Sequence, residues 1–398
     1  MNQDSQQFSA SPARKRPVCP RVSKSFAPFV ILLWPLFSPT ARCQGLGCSS
    51  PDIPAIKNEI LHTDDRDAIL VAAAVGQVEV LPELRARMKP VDFATAEGAA
   101  QAAAARLGDE DAIRQLFARL TQEGDRSAAF VLGFVGTERT LRIGFDYLLM
   151  HQHEPRVFKW RSDVPEVGPG FTFVSGASSQ LDDVPSPNDE LGKWIDWWNT
   201  NKPSFKVVTP SSTLSDPILQ CYGRIAEWGL GVGVRNLYSS GGEGTLDAIR
   251  KYARRIDQLA ALPSFATSAG SAKAVLAKAG DRGSFNLIVN SFKHGNLSDR
   301  LNMLRFIANA GSFEVLVKAL DSSFFEGRQS TFSTEQELEL RVSIFKALSA
   351  AVRNPPLSAD AAPTGKNAEI WEIWWEQNRD RIDDLLLPFL DSEAERIK

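Results

Sequence analysis

Residues 99–120 read AAQAAAARLGDEDAIRQLFARL, and this stretch decides the fold. Its first half, Ala99–Leu107, is an alanine-dense run with high helix propensity. Gly108 suits the left-handed residue that ends a helix, because it has no Cβ, and Asp109 is suited to cap the next helix with its side-chain oxygen. Beyond the turn, four apolar side chains recur at helical spacing: Ile113, Leu116, Phe117 and Leu120. We therefore predict two short helices joined by a Gly-Asp turn.

The same pattern, an apolar run that ends in a glycine and precedes a second run, occurs five times. The runs are Ala68–Val75 with Gly76, Ala99–Leu107 with Gly108, Ser127–Val135 with Gly136, Ser271–Ala279 with Gly280 and Asn302–Ala310 with Gly311. Successive glycines lie 32 and 28 residues apart in the first half and 31 apart in the second. Such a period is typical of a solenoid, in which each unit buries its apolar face against its neighbours. The predicted fold is all-α, an α/α superhelix (HEAT-like solenoid) with one irregular insertion.

The turn sequences Ala104–Ala112 and Ala277–Asp281 resemble the turns of HEAT-type repeats, in particular the short bacterial kind also called bilin-lyase-like HEAT repeats. The resemblance covers residues 60–150 and 245–350. It implies a superhelix from a group whose members mostly hold other proteins, with a minority of enzymes. Some HEAT-repeat enzymes bind iron through several His-Glu dipeptides, whereas this chain has one, His153-Glu154.

Two tryptophan clusters share the pattern W-x-x-W-W-x-x-N and lie 177 residues apart. They hold six of the nine tryptophans: Trp194, Trp197, Trp198, Trp371, Trp374 and Trp375. Each follows a Pro-rich loop, Pro185–Lys193 or Pro355–Lys366, which favours an internal duplication. Positions i, i+3 and i+4 share one helix face, so the three rings of a cluster can pack together. We predict that each cluster seals the end of a stack of hairpins. The alternative is an exposed aromatic surface for a sugar, a peptide or a partner.

The first 43 residues have the order of a secretory signal peptide. Basic residues from Arg14 to Lys24 precede the apolar run Ala27–Phe37, and small residues follow it. The run is about 11 residues long, shorter than the ~20 that a spanning helix needs. We expect an exported protein, in the periplasm or cell envelope, whose mature chain has no membrane span. Cleavage is expected between Ala41 and Gly45, with lipid attachment at Cys43 as an alternative.

Charge is unevenly distributed along the chain. Residues 1–43 carry six Lys and Arg against one acid, and the remainder has a formal net charge of −8. A mildly acidic body without basic clusters argues against nucleic acid as a partner. The expected partner is a protein or a peptide.

The four cysteines do not make a disulfide framework. Cys19 lies within the predicted signal peptide, and Cys43 and Cys48 are able to pair with each other in an exported protein. Cys221 lies in the apolar run Ile218–Ala226, where we expect a small buried side chain rather than a catalytic thiol.

Few residues suggest catalysis or metal binding. His151, His153 and Glu154 offer ligands for one metal, but a metal site needs three or four ligands with supporting groups, and we expect a polar helix end. The glycines of Gly229–Gly233 lack the spacing of a nucleotide-binding loop, so we expect a turn. We predict no cofactor, no bound metal and no enzymatic activity.

Residues 151–192 do not fit the repeat. Val157–Trp160 and Phe171–Val174 flank a Pro- and Gly-containing segment, which predicts a short β-hairpin that projects from the solenoid. Its aromatic side chains, Trp160, Phe171 and Phe173, are candidate contacts for a partner. The alternative is that they pack onto adjacent helices. The flexible stretch Ser239–Gly244 is a candidate boundary between two lobes.

These observations predict the domain organisation and the function. The expected segments are a signal peptide (1–43), a linker (44–59), N-terminal repeats (60–150), the insertion with the first tryptophan helix (151–205), C-terminal repeats (206–353) and a loop with the second tryptophan helix (354–398). The expected function is a non-catalytic scaffold that binds a protein or peptide along its concave surface. Polar residues of the second helices would line that surface: Arg114, Arg119, Arg142, Asn286, Asn290 and Lys293. The alternative is an enzyme or a small-ligand or metal-binding protein that uses residues 151–192.

Overall fold

Helices build the part of the chain that the structure describes, and no β-strand occurs in that part. The computed structural model describes residues 47–154, 157, 168–186, 189–257, 263–294, 297–325 and 334–387. The described residues all belong to one compact unit. The predicted signal peptide, Cys43 and Trp160 lie outside them. The all-α prediction is confirmed for the described residues.

The helices are numbered in chain order. The first nine are α1 (Ile53–His62), α2 (Arg66–Gly76), α3 (Leu81–Arg87), α4 (Ala96–Arg106), α5 (Glu110–Ala118), α6 (Arg126–Val135), α7 (Glu138–Met150), α8 (Pro169–Ser178) and α9 (Leu191–Asn201). The others are α10 (Pro217–Glu227), α11 (Gly231–Ser240), α12 (Thr245–Asp257), α13 (Pro263–Lys278), α14 (Arg282–His294), α15 (Leu297–Ile307), α16 (Ala310–Lys318), α17 (Thr334–Ala351), α18 (Gly365–Asn378) and α19 (Ile382–Leu385).

Two rows of alternate helices organise the packing. In the first half, α2 packs against α4 and α4 against α6, while α5 contacts both α4 and α7. In the second half, α11 packs against α13 and α13 against α15, and α15 contacts α17. The two rows meet through helices that are distant in sequence. The helix before the second row, α10, packs against α2 of the first row.

The predicted Gly-Asp turn between α4 and α5 is confirmed. Gly108 has φ +87°, and the N–H of Asp109 donates to Ala104 O (2.9 Å), which satisfies a carbonyl at the end of α4. The Asp109 carboxylate accepts from the N–H of Ala112 (2.7 Å) and caps α5. The turn at Gly280 has the same form, since Asp281 accepts from the N–H of Ser284 (2.7 Å).

One of the five predicted turn glycines, Gly311, is wrong, and another, Gly76, ends its helix without a positive φ. Gly76 is the last residue of α2, and the residue with positive φ after it is Gln77 (+51°). Gly311 lies inside α16, and the left-handed residue of that turn is Ala308 (+47°). Asn309 then caps α16, with its side chain accepting from the N–H of Ser312 (2.9 Å). The remaining turn at Gly136, with φ +66°, follows the prediction.

The predicted β-hairpin in the insertion is wrong. Phe171–Val174 belongs to α8, which packs against α6 more extensively than any other helix pair in the described residues. The reason is a close approach of two glycines: a Cβ on Gly133 would lie 2.3 Å from Phe173 O, and one on Gly176 would lie 2.4 Å from Phe130 O. The alternation of Phe and polar residues thus fits a helix whose small face meets another backbone.

Both tryptophan motifs form helices with the same termination. In α9 the amide of Asn201 donates to Trp197 O (2.8 Å), and in α18 that of Asn378 donates to Trp374 O (2.7 Å). A short 3₁₀ turn follows each helix. The asparagine of W-x-x-W-W-x-x-N therefore satisfies a carbonyl that the end of the helix leaves free.

The tryptophan rings pack as predicted. Trp194, Trp198 and Trp371 are fully buried, and Trp375 is 9% exposed. Phe145 of α7 contacts the three rings of the first cluster, with centroid distances of 5.9, 5.5 and 4.9 Å to Trp194, Trp197 and Trp198. Phe313 of α16 contacts those of the second cluster, at 6.1, 5.7 and 5.5 Å to Trp371, Trp374 and Trp375.

The hydrophobic core has two parts that meet at α13. One side of this helix, with Ala272 and Val275, belongs to the core formed by α1–α12, and Ala274 and Ala277 belong to the core of the C-terminal helices. Of the stretch Ser239–Gly244, the two serines end α11 and Gly241–Gly244 form the turn to α12, and both helices bury side chains in the first core. The boundary between the cores therefore lies later in the chain than Ser239–Gly244.

A disulfide bond joins Cys48 to Cys221, with the two Cα atoms 5.8 Å apart. Cys48 therefore bonds to Cys221 and not to Cys43, the pairing that the sequence left open, and Cys221 is 4% exposed, as expected, but is bonded. The partners are 173 residues apart, and they come together because α10 packs against α2. The bond ties the residues before α1 to the helix that joins the two rows.

Candidate functional site

An open groove of about 620 Å³ lies between α16 and α18 and is the candidate binding site. We call it the acidic groove. Its lining consists of Glu314, Val317, Lys318, Asp321, Ser323, Phe324, Glu372, Trp375, Glu376 and Arg379. Its volume lies within the range of ligand pockets, and it combines an apolar floor with charged walls.

The second tryptophan motif and the end of α16 supply the apolar floor. Trp375 packs against Phe313, with a centroid distance of 5.5 Å, and lines the groove. Phe324 lies in the turn after α16 and packs against Phe325 and Phe292, at centroid distances of 5.0 and 6.0 Å. Both aromatic side chains are therefore fixed before any ligand arrives.

Four acids and two bases form the walls. Lys318 pairs with Glu314 of the same helix (2.5 Å), and Arg379 with Glu376 (3.3 Å). Glu372 is exposed and makes no ion pair with the described residues. The groove thus carries two negative charges in excess, and it favours a cationic ligand.

Asp321 keeps its charge over a wider pH range than a free aspartate. Its carboxylate accepts a hydrogen bond from the main-chain N–H of Ser323 (2.9 Å), which lowers its pKa, and Arg341 lowers it further. The residue also fixes the turn that carries Phe324.

Three predicted contact residues lie on α14, next to the groove. The Lys293 ammonium lies 5.0 Å from the ring centroid of Phe324, which lines the groove. Asn286 and Asn290 are exposed one helical turn apart, and Leu287 beside them is 56% exposed. The exposed face of α14 therefore continues the surface that leads from the acidic groove.

The predicted arginines of the first half have different environments. The Arg114 side chain is 75% exposed and pairs with Asp111 (3.0 Å). Arg119 is mostly buried; it pairs with Asp125 (2.5 Å) and donates to Val91 O. Such a side chain stabilises the turn before α6 and offers little to a partner.

Arg142 is engaged in packing within the first tryptophan cluster. It donates to Lys202 O (3.2 Å) and Phe205 O (2.8 Å), and its guanidinium lies 5.5 Å from the Phe205 ring. We therefore assign Arg142 to the packing of α7 against the segment after α9.

Two of the three predicted aromatic contacts of the insertion lie among the described residues, on α8. Phe173 is 1% exposed and packs edge-on against Phe145, with a centroid distance of 5.1 Å. It belongs to the core, which corrects its assignment as a contact for a partner. Phe171 is half-buried on α8. Trp160 lies outside the described residues.

The end of α7 is a polar helix end. His151 Nδ1 lies 2.6 Å from Glu154 Oε1, and the imidazole packs against Tyr147 with a centroid distance of 4.5 Å. Across the described residues, no group of three or more His, Cys, Asp and Glu side chains is arranged to hold a metal ion.

A second cavity, of about 300 Å³, lies where α2, α4, α6 and α10 end. Arg106 pairs with the buried Glu227 (2.6 Å) and lies over the Trp228 ring (4.7 Å), and Arg224 donates to Ala74 O at the end of α2 (3.0 Å). Burial lowers the pKa of both arginines, and Glu227 opposes the shift. These cations stabilise helix C-termini, so the cavity belongs to the joint between the rows.

The groove acids were missed by sequence reasoning. Glu372 and Glu376 stand inside the motif W-E-x-W-W-E-x-N, one residue after its first and its third tryptophan. The first copy of the motif carries a different charge. Gly192 and Lys193 precede its tryptophans, and Asp196 and Asn199 lie within it. This difference in charge between the two motifs was the sequence signal for the acids of the groove.

No protein-family model, curated protein or solved structure matches this chain. Among the described helices, none has the length and apolar character needed to cross a bilayer. The function is therefore argued from the geometry of the groove.

Proposed function

We propose that this chain is an exported, non-catalytic helical-repeat scaffold that binds a protein or peptide partner, and that the acidic groove is the contact. The proposed architecture is an α/α superhelix of HEAT type. Contacts between alternate helices support it: α2 packs against α4, α4 against α6, α11 against α13 and α13 against α15. In this view α10, which packs on α2, joins two short stacks.

One observation carries the proposal: a preformed groove with an aromatic floor and an excess of negative charge opens beside an exposed helix face. Trp375 and Phe324 offer rigid apolar contacts, which are common at the centres of interfaces. Glu372 offers a charge that the described residues leave unpaired. Asn286 and Asn290 on α14 extend the polar surface. Together these features suit an extended segment of a partner.

Export is supported by the disulfide between Cys48 and Cys221. Disulfides persist in oxidising compartments and are rare in a reducing cytosol. Cleavage of the predicted signal peptide between Ala41 and Gly45 would leave Cys48 in the mature chain. The periplasm or cell envelope is the proposed location.

Selection from displayed random heptapeptides tests the function. The full chain, expressed with its own N-terminal segment, is immobilised, and enriched peptides are measured by calorimetry. We expect peptides that bind the wild-type chain and lose affinity roughly 30-fold or more in the variant Glu372→Lys with Glu376→Lys, because two contacts become repulsive.

The matched control reverses two exposed acids far from the groove, Glu79→Lys with Glu123→Lys, and changes the net charge equally. Equal losses in both double variants would mean that total charge determines binding, and would contradict the groove assignment. A selection that enriches no sequence would contradict the function itself.

A further inference from the structure

The cavity of about 300 Å³ at the joint between the rows contains an arginine whose charge is not neutralised. Four charged side chains line it: Arg106, Arg224, Glu138 and Glu227. Glu227 pairs with Arg106 (2.6 Å), and Glu138 pairs with Arg142 of the same helix (2.9 Å). Arg224 makes one hydrogen bond, to a main-chain carbonyl, and no ion pair with the described residues. Once the two acids are paired, the lining therefore keeps one positive charge in excess.

The guanidinium of Arg224 keeps two nitrogens without an acceptor. Its Nε donates to Ala74 O at the end of α2 (3.0 Å), and Gln77 Nε2 donates to the same carbonyl (2.6 Å). Nη1 and Nη2 of Arg224 make no hydrogen bond with the described residues, and neither is among the buried polar atoms that lack a partner, so both are accessible. The residue lines the cavity, and a guanidinium with free terminal nitrogens binds a carboxylate through two parallel hydrogen bonds.

Neighbouring arginines strengthen the positive potential at Arg224. Burial lowers its pKa, Glu227 opposes this shift, and the charge of Arg106 adds to it. Burial also lowers the pKa of Arg106, and the charge of Arg255 lowers it further. Arg255 donates to Val208 O (3.2 Å), in the segment that forms one wall of the cavity. Because burial and like charges both disfavour these cations, an anion bound in the cavity would stabilise them.

The rest of the lining indicates which kind of anion fits. The volume lies at the lower end of the range for ligand pockets, which suits a small molecule. The hydroxyl groups of Thr209 and Ser211, 3.1 Å apart, are the neutral polar groups beside Gln77 and Thr137. The remaining walls are largely apolar, with Ala73, Ala103, Leu107, Val135, Val207 and Trp228. One guanidinium with free nitrogens and an apolar wall suit a monocarboxylate with a short hydrocarbon chain.

We infer that this cavity binds a small aliphatic carboxylate, whose oxygens accept hydrogen bonds from Nη1 and Nη2 of Arg224 and whose hydrocarbon chain packs against Val207 and Trp228. The site is separate from the acidic groove and does not depend on the proposed function. Since α2, α4, α6 and α10 all end at the cavity, the bound acid also stabilises the joint between the rows.

Calorimetry of the full chain with hexanoate at low salt tests the inference. We expect a Kd of about 1 mM or lower, as suits a ligand of this size, and a Kd roughly tenfold higher or more in Arg224→Gln. Lys346→Gln makes the same change in net charge at an exposed position of α17 and should leave the Kd unchanged. Hexanol, which lacks the carboxylate, should not bind. Hexanoate should raise the Tm of the wild-type chain and not that of Arg224→Gln.

A second pair of variants keeps Arg224 and changes the space beside it. Val207 lines the cavity, so Val207→Trp should fill it and abolish hexanoate binding. The next residue, Val208, is 59% exposed and does not line the cavity, and Val208→Trp should bind as the wild type does. An unchanged Kd in Val207→Trp or in Arg224→Gln would overturn the inference, as would a wild-type chain that does not bind hexanoate.

Two other sources of negative charge are distinguished by the same measurement. Inorganic phosphate offers charge without an apolar part, and the peptide acetyl-Ala-Ala-Leu offers a carboxylate at the end of a longer chain. Both should bind more weakly than hexanoate. Tighter binding of phosphate would contradict the carboxylate, and tighter binding of the peptide would contradict a small free acid as the ligand.

Discussion

At the residue scale, Asp109 has two roles in the turn between α4 and α5. Its carboxylate is 1% exposed, caps α5 at the N–H of Ala112, and pairs with Arg85. We expect Asp109→Ala to lower the free energy of unfolding by about 1–2 kcal/mol, because the cap and its charge are lost together. Urea unfolding followed by far-UV circular dichroism measures the change.

Asp281 offers the comparison for this prediction. It caps α14 in the same way but is exposed, and within the described part of the chain it makes no ion pair with a base. Asp281→Ala should therefore cost less than Asp109→Ala. Equal effects would mean that burial and the Arg85 pair add nothing to the cap.

At the element scale, the fit of α8 against α6 depends on two glycines whose backbones touch. A Cβ at Gly133 or Gly176 would overlap the opposite backbone, as the distances of 2.3 and 2.4 Å require. We expect Gly133→Ala to destabilise the fold by about 1–3 kcal/mol, since two helices must separate. Gly192 of α9 has open space around its Cβ position, so Gly192→Ala should leave stability unchanged or raise it. A thermal unfolding series of the two variants decides whether the contact matters.

Sequence reasoning predicted helices better than it predicted their partners. The turn at Gly108 was predictable because glycine and aspartate each have one conformational role there. The turns at Gln77 and Ala308 were not, because a non-glycine residue has positive φ in each of them. Phe171–Val174 was misassigned because its alternation fits a strand, and the glycine contact that makes it helical involves α6, some 40 residues earlier.

The acidic groove was only partly predictable for a similar reason. The tryptophans of α18 were identified from their spacing, but the groove forms where they meet α16 and the turn at Phe324. Which acids remain unpaired in the groove depends on Lys318 reaching Glu314 and on Arg379 reaching Glu376.

At the scale of the whole molecule, the disulfide closes a long loop of the chain. Cys48→Ser should lower the free energy of unfolding by about 2–4 kcal/mol, because the unfolded chain regains the freedom that the cross-link removes. Cys221→Ser should have a similar effect, and the double variant should cost little more than either one. Unfolding of the wild-type chain under reducing conditions should match these variants. Additive effects of the two substitutions would contradict the bond between them.

Under the proposed function, the two rows of helices support one binding face. The first row ends in a tryptophan cluster in which Trp198 donates to Asp146, and the second ends in one whose Trp375 lines the acidic groove. The joint at α10, with the disulfide and the Arg106–Glu227 pair, fixes the start of the second row to the first helices. This arrangement leaves α14, α16 and α18 available to a partner.

The measurement that tests the binding account most directly is a cross-linking map. A selected peptide carrying a benzophenone group is irradiated with the full chain, and the modified residues are identified by mass spectrometry. The account predicts modification of α16, the turn at Phe324 and α18, and loss of that modification in Glu372→Lys with Glu376→Lys. Cross-links confined to α5 and α7, or distributed evenly over the helices, would contradict it.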